Sequence, residues 1–184
     1  MNVLLFGVSN VGKTTTGRLL AKKLACDFYD IDEEVRTQFN TTIEKFINAF
    51  GRYERDKVRG GIIRQLLARN GDKVISVSPM YYSRCFNKYI LRPDVIAIEL
   101  QDEPENIFNR LVFTDENDQI CEDTEEYREA HRDYYLNDIY EDIKYYRNSF
   151  KKIEFKFQMK NDTPDVVVGR LIEQYFQIET NTES

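Results

Sequence analysis

Tryptophan is missing from this chain, histidine occurs once, and cysteine occurs three times in 184 residues. A single histidine, His131, excludes a His-rich metal site. The cysteines Cys26, Cys85 and Cys121 are odd in number and show no C-x-x-C spacing. They read as free thiols of a reducing cytosol, not as disulfides or zinc ligands. No apolar run approaches the ~20 residues that span a bilayer, so no membrane partner is expected. The opening residues carry neither a basic stretch nor a small-residue cleavage site, which argues against a secretory signal and for the cytoplasm. Positive charge is in deficit, with 26 Lys and Arg against 32 Asp and Glu, a net charge of −6. Binding to a phosphate backbone usually needs the opposite sign, so no nucleic-acid partner is expected. There is no internal repeat and no Pro/Gly/Ser linker.

What is present is aromatic area, 12 Tyr and 12 Phe, enough for a real core in a chain of single-domain size. Apolar runs alternate with amphipathic stretches, the pattern of βα units. Val3 to Phe6, Val74 to Val77 and Val95 to Ile98 read as buried strands. Phe28-Tyr29 leads into Asp30-Ile31-Asp32 as a second strand end, and Ile153 to Phe157 alternates like an edge strand. Helices are expected over 14–24, 42–50 and 54–69, with a last one opened by Pro164. Residues 1–178 read as one α/β domain and 179–184 as a polar tail. Thr114 to Glu126 is rich in acid and poor in apolar residues, so it reads as a mobile lid-like segment whose plain alternative is a solvated loop.

The sharpest motif is Gly7-Val8-Ser9-Asn10-Val11-Gly12-Lys13-Thr14, a full G-x-x-x-x-G-K-[ST] between a strand and a helix. Its glycines permit a tight loop whose N–H groups face phosphate oxygens, and the following helix adds its positive end. Asn10 suits a left-handed position. Lys13 neutralises β- and γ-phosphate charge, and Thr14 ligates Mg²⁺. Gly7, Ser9 to Thr14 and Thr15 are the candidate nucleotide-binding residues. A GTPase reading fails because no D-x-x-G follows and Asn87-Lys88-Tyr89-Ile90 lacks the closing Asp. Two further carboxylates fall at the strand edge that faces the phosphates. Of Asp30 and Asp32, one can reach toward hydrated metal and the other can hold an acceptor hydroxyl and take its proton. The structural alternative is that Asp32 caps the helix beginning at Glu33.

Four stretches together resemble the shikimate kinase family and, more loosely, the gluconate kinase group: the P-loop, Phe28 to Asp32, Thr41 through Gly51, and Asn161 to Pro164. The resemblance implies a P-loop kinase fold, with a five-stranded parallel sheet flanked by helices and a lid. It implies ATP as donor, Mg²⁺ served through water by Asp30, and a small-molecule acceptor whose hydroxyls bind at Asp32. It also implies that Arg110 packs on adenine and that Thr163 and Pro164 belong to the adenine loop.

The departures lie on the acceptor side. The family's acceptor arginine after Gly51 falls on Asp56, with Arg55 and Arg59 nearby on other helical directions. Three glycines after the third strand become Ser78-Pro79-Met80. The lid arginine position is Asn117, and the late R-x-P-x-Y motif is absent, with Lys144 and Arg147 as approximate stand-ins. Arg55, Asp56 and Ser78 are therefore candidate acceptor residues. The expected function is a small-molecule kinase with a changed acceptor, in which Arg128 or Arg132 serves from the lid base. The alternatives are a nucleotide-binding regulatory protein that has lost transfer, and a true shikimate kinase. The sequence leaves oligomeric state open, with a monomer favoured.

Overall fold

The computed structural model describes residues 1–113, 117, 119–120 and 123–176. Its elements run β1 (Asn2–Phe6), α1 (Lys13–Lys23), β2 (Asp27–Asp30), α2 (Ile31–Phe39), α3 (Ile43–Ala49), α4 (Arg52–Leu67), β3 (Lys73–Ser76), α5 (Asn87–Ile90), β4 (Val95–Gln101), α6 (Pro104–Asn109), α7 (Glu125–Tyr146), β5 (Phe155–Gln158) and α8 (Pro164–Tyr175). The five strands form one parallel sheet in the order β2-β3-β1-β4-β5.

Strand β1 is central and fully buried, and its alternation divides the core. Val3 and Leu5 pack with Leu20 of α1, Phe108 of α6 and Val167, Val168 and Leu171 of α8. Leu4 and Phe6 pack on the other face with Ile31 and Val35 of α2, Ile62, Ile63 and Leu66 of α4, and Phe150. Each fully buried aliphatic side chain contributes about 1.5–3 kcal/mol relative to exposure. Parallel register brings three strand ends level. Leu5 pairs with Ser76, and Ser76 pairs with Asp30. The loop after β1, the end of β2 and the loop after β3 therefore open on one crevice, at the point where strand order reverses around β1.

Two expectations change. The second strand ends at Asp30, and Ile31-Asp32 already belong to α2. The two carboxylates therefore do not alternate along a strand. The 22-residue α7 begins inside the acidic stretch, with Thr124 as its cap accepting from the Tyr127 N–H. Residues 114–116, 118 and 121–122 of that stretch lie outside the described residues, as do Cys121 and the tail from 177. Cys26 and Cys85 are unpaired thiols, and among the described residues no helix is long and apolar enough to cross a membrane.

Helix α4 presses closely on the segment after β3. A Cβ built on Gly60 falls 2.5 Å from the carbonyl oxygen of Cys85, whereas one on the adjacent Gly61 meets nothing within 4 Å. Gly60→Ala is expected to lose about 1–3 kcal/mol through overpacking and to lower the thermal midpoint by several degrees. Gly61→Ala is expected to gain roughly 0.5–1 kcal/mol of helix stability. Calorimetric melting of both variants checks the opposite signs.

Candidate active site

The loop between β1 and α1 adopts the strained geometry its residues permit. Gly7 has φ 141°, Asn10 φ 59° and Gly12 φ 108°. A Cβ on Gly7 would stand 2.6 Å from the Leu100 carbonyl oxygen, so only glycine passes beneath β4 there. Val11 differs from its neighbours, because its side chain lies in the core and only its backbone is available to a ligand. A cavity of about 500 Å³ opens over the loop. Lys13, Thr14, Asp32, Ser78, Pro79 and Arg110 line it, with Ser9, Asn10, Gly12 and Thr15 at its base.

Lys13 is buried, and its ammonium donates to the carbonyls of Gly7 at 3.0 Å and Val8 at 2.7 Å. Burial is the main force that lowers its pKa to about 8, with Arg59 adding to the fall. Asp32, Asp30 and Asp142 act in the opposite direction. Three carboxylates, from α2, the end of β2 and α7, thus act on one lysine.

Asp30 is the junction of the site. It caps α2, its Oδ1 accepting from the N–H groups of Asp32 at 2.9 Å and Glu33 at 3.4 Å. Its Oδ2 accepts from the Thr14 hydroxyl at 2.6 Å, and the Ser76 hydroxyl stands 3.5 Å from Thr14. The helix cap is therefore Asp30, and Asp32 is released from that role. Asp32 sits in the first turn of α2, where its Oδ1 accepts from the Ser78 hydroxyl at 2.6 Å and from the Arg59 guanidinium at 3.4 Å.

The acceptor candidates separate. Ser78 is in the cavity. Asp56 is buried and turned away from it, accepting the Tyr82 N–H at 2.9 Å. Burial pushes its carboxyl up, against the pull of that bond and of Arg59. One turn on, Arg59 donates to the Pro79 carbonyl at 3.3 Å, so α4 grips both ends of the 79–82 segment. Met80 does not crowd the site, because it is fully buried in the core. Arg55 lines a different cavity, between α4 and α7.

On the nucleotide side Arg110 reaches the loop and pairs with Asp102. Burial would raise the Asp102 carboxyl, but Asn106, Arg110 and the Glu103 N–H together hold it below its ordinary value. Thr163 and Pro164 open α8 and do not line the loop cavity. The chain ahead of them does approach, since Met159 Cε lies 3.0 Å from where a Gly12 Cβ would stand. The suggested arginine substitutes are occupied. Arg128 binds Asp123 and the carbonyls of Phe108 and Leu111, and Arg132 pairs with Glu105. Lys144 and Arg147 line a groove with Glu99 and Lys156, not the loop cavity.

Sequence reasoning set Arg59 aside as lying on another helical direction, and missed the whole of α7. The signal for Arg59 was its spacing of three from Asp56 on one helix, which puts both on the side facing the β3 loop. A family model described as shikimate kinase matches residues 9–173. The chain belongs to the shikimate kinase family. Shikimate kinase of Thermodesulfovibrio yellowstonii is 26% identical over 174 residues, 95% of this chain and 94% of that protein. The shikimate kinase of Caldicellulosiruptor saccharolyticus is 32% identical over 110 residues, 60% of this chain and 63% of the relative. The shikimate kinase structure from Bacteroides thetaiotaomicron superposes with a TM-score of 0.73 at 20% identity, over 94% of this chain and 97% of that one. That likeness shows the fold. As a member of the shikimate kinase family the chain is an ATP-dependent phosphotransferase acting on a hydroxyl group.

The state of Lys13 makes nucleotide binding pH-dependent. Below about 8 the group is an ammonium and above it an amine. Bound phosphates favour the charged form, so ATP affinity is expected to fall as pH rises through about 8, and binding is expected to take up protons there. Calorimetric titration of ATP in buffers of different ionisation enthalpy checks both. Lys13→Ala is expected to abolish proton uptake together with most of the affinity.

Proposed function

We propose that the protein transfers the γ-phosphoryl group of Mg²⁺·ATP to a hydroxyl of a small acceptor other than shikimate. The observation that carries this reading is Asp56. It stands where the family's pattern has an acceptor arginine, and its carboxylate is spent on the Tyr82 N–H. An anionic acceptor there loses a charge-assisted partner of order 1.5–3 kcal/mol.

The site residues fit a magnesium ion. Mg²⁺ takes hard oxygen ligands, usually one or two from protein plus phosphates and water. The Thr14 hydroxyl and the Asp30 carboxylate are such a pair and lie together. Bound there, the ion would draw charge from the β- and γ-phosphates. Lys13 neutralises the same phosphates from inside the loop. Asp32, fixed by Ser78 and Arg59, orients the acceptor hydroxyl and takes its proton as the oxygen attacks γ-phosphorus. Unpaired thiols at Cys26 and Cys85 accord with a reducing cytoplasm.

A second reading, transfer to shikimate itself, is favoured by the match to the family over residues 9–173. Coupled ADP-release kinetics separate the two. With shikimate, turnover is expected well below the roughly 1–100 per second of typical kinases, and a rate inside that range establishes the second reading. With whichever acceptor a screen identifies, Asp32→Asn is expected to slow transfer by about 10²–10⁴-fold with little change in thermal midpoint, since the helix cap is Asp30. Full activity in that variant would remove Asp32 from the chemistry.

A further inference from the structure

Two groups of opposite charge face one cavity without a partner of their own. The cavity, about 530 Å³, lies between α4 and α7 and has Arg55 on one wall and Asp142 on the other. The buried Arg55 Nε has no hydrogen-bond partner. Asp142 makes no ion pair among the described residues. Burial raises its carboxyl, Asp138 adds to the rise, and only Lys13 opposes it. The cavity's other charges are engaged. Lys144 pairs with Glu141, and the Arg52 guanidinium lies over the rings of Tyr81 and Tyr145. Leaving such groups half-buried and unmet is costly, and a ligand that completes both removes the cost.

Asp142 also joins this cavity to the phosphate side. It lines a second space of about 490 Å³ whose floor is Val8, Ser9 and Asn10 of the P-loop. Both Asp32 and Asp142 act electrostatically on Lys13. That space and the loop cavity lined by Asp32 share Ser9 and Asn10, so Asp142 joins the Arg55 cavity to the phosphate side through cavities of the size that hold small ligands.

The geometry points to a zwitterionic acceptor, a small hydroxy amino acid whose carboxylate is held by Arg55 and whose ammonium is held by Asp142. This rests on the phosphotransfer reading above and gives that site a substrate class. In the transfer the acceptor oxygen bonds to γ-phosphorus. The bond from γ-phosphorus to the bridging oxygen breaks, ADP leaves with the electron pair, and the hydroxyl proton passes to Asp32.

Calorimetric titration of the full chain tests it, with Mg²⁺ and a non-hydrolysable ATP analogue present and again without nucleotide. The probes are L-serine and L-homoserine, shikimate as an anion lacking an ammonium, and ethanolamine as a cation lacking a carboxylate. A zwitterion is expected to bind at least about tenfold tighter than either singly charged probe. Asp142→Asn and Arg55→Gln are each expected to weaken it by roughly 10–100-fold, the cost of one charge-assisted bond, and Arg55→Gln is expected to do so with no loss of analogue affinity. Arg55→Lys, which keeps the charge, is expected to recover part of the loss. Asp142→Asn is expected to strengthen shikimate binding, because it removes a repulsion. The inference is overturned if shikimate is the tighter ligand, if neither zwitterion binds, or if both variants leave zwitterion affinity unchanged. Failure of the transfer reading looks different: the zwitterion binds and needs both residues, yet ADP is not released.

Discussion

The two oxygens of the Asp30 carboxylate hold this site together. One caps α2 and so fixes where that helix begins, and the other holds the Thr14 hydroxyl and so ties the P-loop helix to the edge strand. Because α2 starts at Ile31, Asp32 falls in its first turn and projects over the loop cavity instead of completing a cap. A cap of this kind is worth about 1 kcal/mol, but its consequence for chemistry is larger. It frees the neighbouring carboxylate from a structural duty.

The wall of the cavity beside Asp32 is governed by α4. In one helical turn it presents Asp56 to a backbone N–H and Arg59 to a backbone carbonyl of the same 79–82 segment. The close passage of Gly60 beneath Cys85 makes that grip possible. Proline at 79 deletes a donor but keeps its carbonyl, and the carbonyl is what Arg59 uses. Arg55, whose Nε has no hydrogen-bond partner, and Asp142 line a separate cavity between α4 and α7.

Much of the nucleotide half was legible in sequence because its physics is local. A left-handed Asn10, glycines at the two tight positions and a lysine opening the helix follow from φ requirements and from the needs of phosphate within eight residues. Strands β1, β3 and β4 were legible as continuous apolar runs. Asp32 was placed correctly in the cavity but on the wrong element, since a strand end and a helix start share the same three residues. Helix α7 was missed because Ile139 is its only buried residue and tyrosines crowd every side, so no apolar stripe marks its period.

The sequence by itself determined a βα chain with a P-loop and the family it belongs to. Those features depend on neighbours in the chain. Only the tertiary structure decided that Asp56 serves the backbone, that Met80 lies in the core, that Arg59 backs Asp32 and that Asp142 lines a cavity with the P-loop. Each of these joins residues from different elements, and the direction of a side chain across such a gap is set by how the elements pack on the sheet, which residue identity and spacing do not encode.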